Sequence, residues 1–122
     1  MSAAASSPDE GALPRAYLRP CLLVLLAEGP AHGYEMLEGV RRLGFGGADA
    51  GGLYRTLRAM EREVLVSSWW EASPSGPARR TYELNVDGEV ALARAVEELR
   101  GALRLLGVIV DRWAAVRQRG LS

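Results

Sequence analysis

The stretch that decides the fold is "GFGGADAGGLYRTL", residues 44–57, in which five glycines within nine positions are followed directly by a helical pattern. Leu53, Leu57 and Met60 recur at helical spacing, so they predict a buried face on a helix that begins near Gly51. A glycine-rich loop before a helix is found in phosphate-binding sites and also in simple turns between helices. The surrounding sequence decides between these two interpretations.

Two phosphate-binding motifs are excluded at this cluster. A mononucleotide-binding loop requires a lysine after its glycines, and all fifteen basic residues of the chain are arginine. A dinucleotide-binding fingerprint requires a third glycine where Asp49 stands, and a βαβ unit around it, which the sequence does not indicate. The cluster is therefore predicted to be a turn between two helices.

Two helices are predicted before the turn. The first, "AYLRPCLLVLLAEGP", residues 16–30, is dense in leucine and stops at Gly29, a typical helix end. The second, "HGYEMLEGVRRLG", residues 32–44, places Tyr34 on its apolar face and ends at Gly44. Three helices within about fifty residues, joined by short turns, indicate a compact helical domain.

A β-hairpin is predicted after the third helix. "LVSSWWEA", residues 65–72, is rich in strand formers, "SPSGP" is a turn cluster, and "RRTYEL", residues 79–84, alternates in polarity. Trp69 and Trp70 should lie on opposite faces of the strand, so we expect one of them in the core. Helix, turn, helix and hairpin is the element order of a winged helix-turn-helix domain, in which the hairpin, here residues 65–84, is called the wing. The second helix of the helix-turn-helix pair, here the third predicted helix, enters the DNA major groove.

A long helix is predicted from Asn85 to the region of residue 118. Asn85 is a suitable N-cap, and about 32 residues without proline would span ~48 Å at 1.5 Å per residue. Apolar residues spaced alternately by four and three indicate a seam that packs against the same helix of a second copy. This predicted dimerisation seam comprises Leu92, Val96, Leu99, Leu103, Leu106, Val110 and Trp113.

The predicted fold is mostly α with a small β-hairpin. Residues 1–14 are expected to form a disordered tail, residues 15–84 the winged helix-turn-helix domain, and residues 85–118 the dimerisation helix. The N-terminal stretch lacks the basic end and apolar block of a secretory signal, so we expect a soluble, cytoplasmic protein. No apolar run reaches the ~18 residues that a membrane span requires.

Composition excludes several kinds of site. The single cysteine, Cys21, excludes an internal disulfide, and the single histidine, His32, excludes a histidine metal cluster. No nucleophile lies beside a base in the sequence, so no enzyme activity, metal or cofactor is expected. The formal net charge is zero. Nucleic-acid binding must therefore depend on a local basic surface.

Such a surface is predicted on the third helix and the hairpin. The predicted DNA contacts are Gly51, Gly52, Tyr54, Arg55, Arg58, Arg79 and Arg80. Tyr54 has the alternative of packing under the wing, and one of the two wing arginines has the alternative of pairing with an acid. The predicted contacts for a small-molecule effector are Trp113, Trp69 and Ile109, because aromatic side chains in a two-fold interface can wall a cavity for a flat ligand.

The motifs "LLAEGPAHGYEML", "GGLYRTLRAMERE" and "SSWWEASPSGPARRTYEL" together resemble the PadR family of transcriptional regulators. The resemblance covers roughly residues 16 to 90, and the single long C-terminal helix is similar to that of the shorter subtype. It implies a homodimer that represses transcription at a double-stranded DNA operator and is released by a small molecule or a stress signal. An alternative is a protein-protein interaction module on the same scaffold with lost or weak DNA binding.

One residue departs from the family pattern. Val64 stands where members usually carry glycine after the recognition helix. A β-branched residue resists the left-handed conformation that a helix-ending glycine adopts. We therefore expect the turn into the wing to be strained or rebuilt.

Overall fold

The computed structural model describes residues 14–120 and divides into two compact units, the first ending at Leu92 and the second beginning at Ala93. We call the described part of the first unit, residues 14–92, the head. The tail expected over residues 1–14 lies, except for Pro14, outside the described residues.

Four helices and three strands follow one another along the described residues. After a 3₁₀ turn, Arg15–Tyr17, they are α1 (Leu18–Ala27), β1 (Ala31–His32), α2 (Gly33–Arg42), α3 (Ala50–Arg62), β2 (Val66–Ser73), β3 (Gly76–Leu84) and α4 (Val86–Gly120). The predicted fold class, mostly α with a small β-hairpin and a long C-terminal helix, is confirmed.

The sheet has one strand more than the sequence predicts. Its strands are antiparallel in the order β1-β3-β2, with Ala31 opposite Tyr82 and His32 opposite Thr81. A strand of two residues is too short to show a period-two alternation, which is why the pattern does not indicate it. This extra strand, which directly precedes α2, pairs with β3 and so joins the start of α2 to the wing formed by β2 and β3.

The core of the head lies between the inward faces of α1, α2 and α3. Leu53, Leu57 and Met60 are at most 1% exposed, which confirms the predicted inward face of α3. The prediction for Tyr34 is wrong, because its side chain is 66% exposed. On α2 the buried positions are 33, 36, 37, 39 and 40, and at about 100° per residue position 34 lies about 130° around the helix from the middle of that face.

The end of α3 keeps the geometry that a glycine usually adopts. Val64 has φ 60° and is the only non-glycine residue with positive φ among residues 14–120. Its N–H donates to the Glu61 carbonyl oxygen and that of Leu65 donates to the Met60 carbonyl oxygen, both at 3.0 Å. These two bonds form a Schellman motif. The turn is therefore retained, with a β-branched residue in the left-handed region.

Neither tryptophan of the wing is in the core, so that prediction is wrong. Trp69 is 39% exposed and Trp70 is 64% exposed. β2 is an edge strand, and Val66 at its start is its only buried residue. The helices therefore cover only the start of β2, and the two tryptophans lie on the part of the strand that the helices leave uncovered.

The long helix α4 begins as predicted. The Gly88 N–H donates to Asn85 Oδ1 at 2.9 Å, so Asn85 is the N-cap. The helix has 35 residues and is about 52 Å long. Its first turns belong to the head, where Ala91 and Leu92 pack against the core. No helix within residues 14–120 has the length and apolar character needed to span a membrane.

Candidate functional site

The N-terminus of α3 is fixed by two local interactions. Asp49 Oδ1 accepts a hydrogen bond from the Gly52 N–H at 2.8 Å, so Asp49 is the N-cap. Arg41 of α2 donates from Nε and Nη2 to the carbonyl oxygen of Ala48, in the loop before α3, at 3.0 and 2.7 Å. The sequence carries a local signal for this cap, since Asp49 directly precedes the apolar pattern of α3, although Asp49 is not among the residues predicted for the site. Together these bonds hold the first turn of α3 in place.

Gly52 leaves room for charged side chains above this turn. A Cβ at residue 52 would lie 3.3 Å from Arg15 Nη2, 3.7 Å from Arg55 Nη2 and 2.9 Å from Asp49 Oδ1. Gly51 is exposed, whereas Gly52 is buried beneath these groups. Two guanidinium groups from different elements therefore lie close together at the start of α3. Arg15 is not among the residues predicted for the site, because only the fold brings it to this turn.

The outward face of α3 is basic. Arg55, Arg58 and Arg62 are exposed, and residues 51–60 contain no acid. Within residues 14–120, Arg55 and Arg58 have neither a hydrogen-bond partner nor an ion-pair partner. These side chains are therefore available to an external acceptor such as a phosphate or a base edge.

Tyr54 packs between α3 and the start of α2. Its side chain is half-buried, and a Cβ at residue 33 would overlap its hydroxyl oxygen and ring edge. Gly33 is therefore required for this close approach. The ring also borders a cleft between α3 and the wing.

The wing arginine Arg79 contacts the start of α2. Its Nη1 lies 2.9 Å from His32 Nε2, and its Nη2 donates to Ser73 Oγ at 3.3 Å. Because a guanidinium only donates, His32 accepts through Nε2 in this contact. The same Nε2 lies 3.3 Å from Glu35 Oε1. Arg79 thus connects β3 with the N-terminus of α2.

The second wing arginine, Arg80, pairs with an acid, which is the alternative considered for one of the two. Its Nη2 lies 3.5 Å from Glu61 Oε2, and its guanidinium carbon lies 5.5 Å from the centroid of the Trp70 ring. The same Glu61 oxygen accepts a hydrogen bond from Ser68 Oγ at 2.6 Å. These contacts hold the wing against α3.

The cleft between α3 and the wing has a volume of about 530 Å³. Its walls are mainly aromatic and basic, and they include His32, Tyr54, Arg58, Trp70, Arg79 and Tyr82. Burial is the main cause that raises the pKa of the Tyr82 hydroxyl. That hydroxyl is therefore uncharged at neutral pH. Trp69 does not line the cleft and pairs across the sheet with Thr81 instead.

The seam predicted on α4 differs in exposure along its length. Leu92 packs on the head, and Val96 and Leu99 are half-buried. The remaining positions are exposed by 55–70%: Leu103, Leu106, Val110 and Trp113. Ile109, a predicted effector contact, is 64% exposed, and the Arg117 guanidinium lies 5.4 Å from the Trp113 ring centroid. The second unit therefore presents a long apolar surface.

A model of the PadR-like family of transcriptional regulators matches residues 22–94, which is more than half of the chain. The chain belongs to the PadR-like family. The match includes α3, both strands of the wing and the first turns of α4. This membership makes the protein a DNA-binding transcriptional regulator and not an enzyme. No curated protein matches the chain.

Solved structures of the PadR-like fold are similar to the chain over most of its length. A PadR family regulator from Eggerthella lenta has 25% identity and a TM-score of 0.69, covering 79% of this chain and 83% of its own. A PadR-like regulator from Bacillus cereus has 26% identity and a TM-score of 0.63, covering 80% and 91%. A conserved protein described as a potential transcriptional factor has 29% identity and a TM-score of 0.75, covering 84% and 92%.

Proposed function

We propose that this PadR-like protein is a cytoplasmic homodimeric repressor that binds a near-palindromic double-stranded DNA operator. In this proposal the winged helix-turn-helix domain spans residues 15–84 and the dimerisation helix spans residues 85–118. The observation that carries it is the outward face of α3, where Arg55 and Arg58 have no partner within the described residues. We call α3 the recognition helix from here on.

The recognition helix supplies both kinds of DNA contact in this proposal. Arg58, at the middle of its outward face, is the candidate for a bidentate contact with a guanine edge. Arg55 is the candidate for a phosphate, since its guanidinium lies beside Gly51 and Gly52 at the helix N-terminus. Tyr54, which borders the cleft, is a candidate for a contact with the sugar-phosphate backbone of the DNA.

The wing supplies further phosphate contacts. Arg79 and Arg80 are its candidates, and both lie on β3 beside the cleft that Arg58 also lines. Phosphate contacts of this kind position a protein on DNA without selecting a sequence. They therefore contribute to affinity more than to specificity.

Dimerisation through α4 follows from its exposed heptad positions. Leu103, Leu106, Val110 and Trp113 are all more than half exposed in the single chain, a surface that a second copy of the helix would cover. A two-fold dimer places its two recognition helices in successive major grooves, with half-sites ~34 Å apart. Leu106→Glu should place a charge in this interface and give a monomer in analytical ultracentrifugation.

A small-molecule effector is proposed to act through the same helices. The candidate contacts are Ile109 and Trp113 on α4 and Trp69 on the wing, all of which have exposed side chains. A ligand that binds one arrangement of the dimer better than another shifts the population toward it. A changed angle between the α4 helices would alter the half-site spacing and so release the operator.

Selection of DNA fragments by the purified full chain tests this proposal. Repeated rounds of binding to a random duplex library, followed by sequencing, should converge on a near-palindrome. Arg58→Ala should fail to enrich that sequence, whereas Arg94→Ala, which removes the same charge from the second unit, should enrich it normally. If wild-type protein enriches no sequence, the chain is better described as a protein-protein interaction module.

A further inference from the structure

The cleft beside the recognition helix contains one carboxylate among the described residues that line it, that of Glu61. It follows Arg58 by three residues on α3, so the two side chains lie on neighbouring positions of the helix surface. A carboxylate beside a DNA-binding surface repels phosphates and so weakens binding. Its presence there is explained by its ion pair with an arginine of the wing.

Glu61 holds a wing arginine. Its Oε2 atom accepts from Ser68 Oγ of β2 at 2.6 Å and lies 3.5 Å from Arg80 Nη2 of β3. Both partners are at most about two-fifths exposed, at 32% for Glu61 and 38% for Arg80. The guanidinium also lies over the Trp70 ring, at 5.5 Å from its centroid. Arg80 is thus held from two sides in the free protein, whereas Arg58 has no partner within residues 14–120.

We propose that Glu61 is a positioning residue that competes with DNA for Arg80 and thereby limits the affinity of the wing. This inference rests on the proposed DNA binding. An unpaired arginine that neutralises a phosphate releases cations condensed on the DNA. An arginine that stays paired with a carboxylate brings no net charge to the phosphate, so it releases few of these cations. The wing therefore contributes one phosphate contact fewer than its two arginines would allow.

The salt dependence of DNA binding measures this competition directly. Each phosphate neutralised by an arginine adds about 0.9 to the slope of log K against log salt concentration. Glu61→Gln removes the charge while its amide oxygen can still accept from Ser68. We expect the slope of this variant to steepen by about 0.9 per subunit, or about 1.8 for the dimer, so that the loss of affinity between about 50 and 200 mM salt grows about 12-fold.

A double-mutant cycle separates release of Arg80 from simple loss of repulsion. Arg80→Gln should change the slope by less than about 0.3 per subunit in the wild-type background and by about 0.9 per subunit in the Glu61→Gln background. Arg55→Gln is the matched reference, since it removes an unpaired arginine that is the candidate for a phosphate contact, and it should reduce the slope by about 0.9 per subunit in both backgrounds. Thermal unfolding of each variant checks that it is folded.

Two results would overturn the inference while leaving the proposed function intact. One is an Arg80→Gln effect on the slope as large as that of Arg55→Gln in the wild-type background, a comparison that needs no Glu61 variant. The other is a Glu61→Gln gain that persists when Arg80 is also replaced, because the gain would then come from lost repulsion alone. Absence of DNA binding by the wild-type chain would overturn the proposed function and this inference together.

Discussion

The Asn85 side-chain amide donates a hydrogen bond to the Val64 carbonyl oxygen at 2.8 Å, so the N-cap of α4 also holds the residue that ends the recognition helix. The backbone N–H of Asn85 donates to the Leu65 carbonyl oxygen at 3.1 Å, and its Oδ1 accepts from Gly88. One side chain thus connects the end of α3 with the start of α4. This connection depends on the left-handed turn at Val64.

Val64→Gly should stabilise the protein. A non-glycine residue in the left-handed region costs about 1–2 kcal/mol. Glycine removes that cost but adds unfolded-state entropy, so we expect a net gain of about 1 kcal/mol. Urea unfolding at one protein concentration measures it, with Val64→Ala as a control that should gain less, because alanine removes only the β-branch. A glycine variant less stable than wild type would show that the valine side chain contributes more than the strained backbone costs.

Gly88→Ala should destabilise the head. A Cβ at residue 88 would meet the Leu65 carbonyl oxygen and the Leu84 side chain, and a backbone atom cannot move aside cheaply. We expect a cost of about 1–3 kcal/mol. Gly101→Ala is the matched control on the same helix, since its Cβ would approach only Arg104 Nη2, at 3.8 Å. That variant should gain up to about 1 kcal/mol in helix propensity. Equal effects at both positions would contradict the packing described for Gly88.

The Arg19 and Glu63 pair should give a small, pH-dependent contribution to stability. The hydrogen bond from Arg19 is the main cause that holds the pKa of the Glu63 carboxyl below its usual range. A lowered folded-state pKa stabilises the protein above the unfolded pKa, about 4.3, and this contribution is lost as pH falls through the folded value. Because both side chains are partly exposed, it should stay below about 1 kcal/mol.

Comparison of wild type with Glu63→Gln at two pH values measures this contribution. The wild type should be the more stable protein at about pH 7, and the difference should shrink at acid pH, as the pH falls through the lowered folded-state pKa and the carboxyl takes up a proton. A difference of the same size at both pH values would mean that the ion pair does not cause it.

The local signals in the sequence predicted most of the fold. Gly44 ends α2 with φ 126°, Asn85 caps α4, and Leu53, Leu57 and Met60 face the core, each as its local pattern indicates. Such features depend on neighbours within one or two turns, which a sequence pattern records. The exposure of both wing tryptophans was missed, because it depends on how far the helices extend over the hairpin.

The partners of the candidate site residues could not be predicted in the same way. Arg79 contacts His32, which is 47 residues away in sequence, and Arg80 pairs with Glu61, which is 19 residues away. Both contacts require the sheet and α3 to be in place, so they leave no periodic signal. The sequence indicated that one wing arginine has the alternative of pairing with an acid, but only the fold identifies it as Arg80.

Arg58→Ala should weaken binding to the selected operator and relax its sequence preference. A bidentate contact with guanine is worth about 1–3 kcal/mol of discrimination. Electrophoretic mobility shifts with the operator, with single-base variants of it and with random DNA measure this loss. We expect a large loss on the operator and a small one on random DNA. An equal loss on both would assign Arg58 to phosphates and leave base recognition to another residue.

The central claim is that two recognition helices, held together by α4, bind successive major grooves of one DNA duplex. Hydroxyl-radical footprinting of the full-length protein on its selected operator tests this most directly. We predict two protected segments whose centres lie one helical turn apart, ~34 Å, arranged symmetrically about the pseudo-palindrome. A single protected segment, or no protection at a concentration where the chain is dimeric, would contradict the claim.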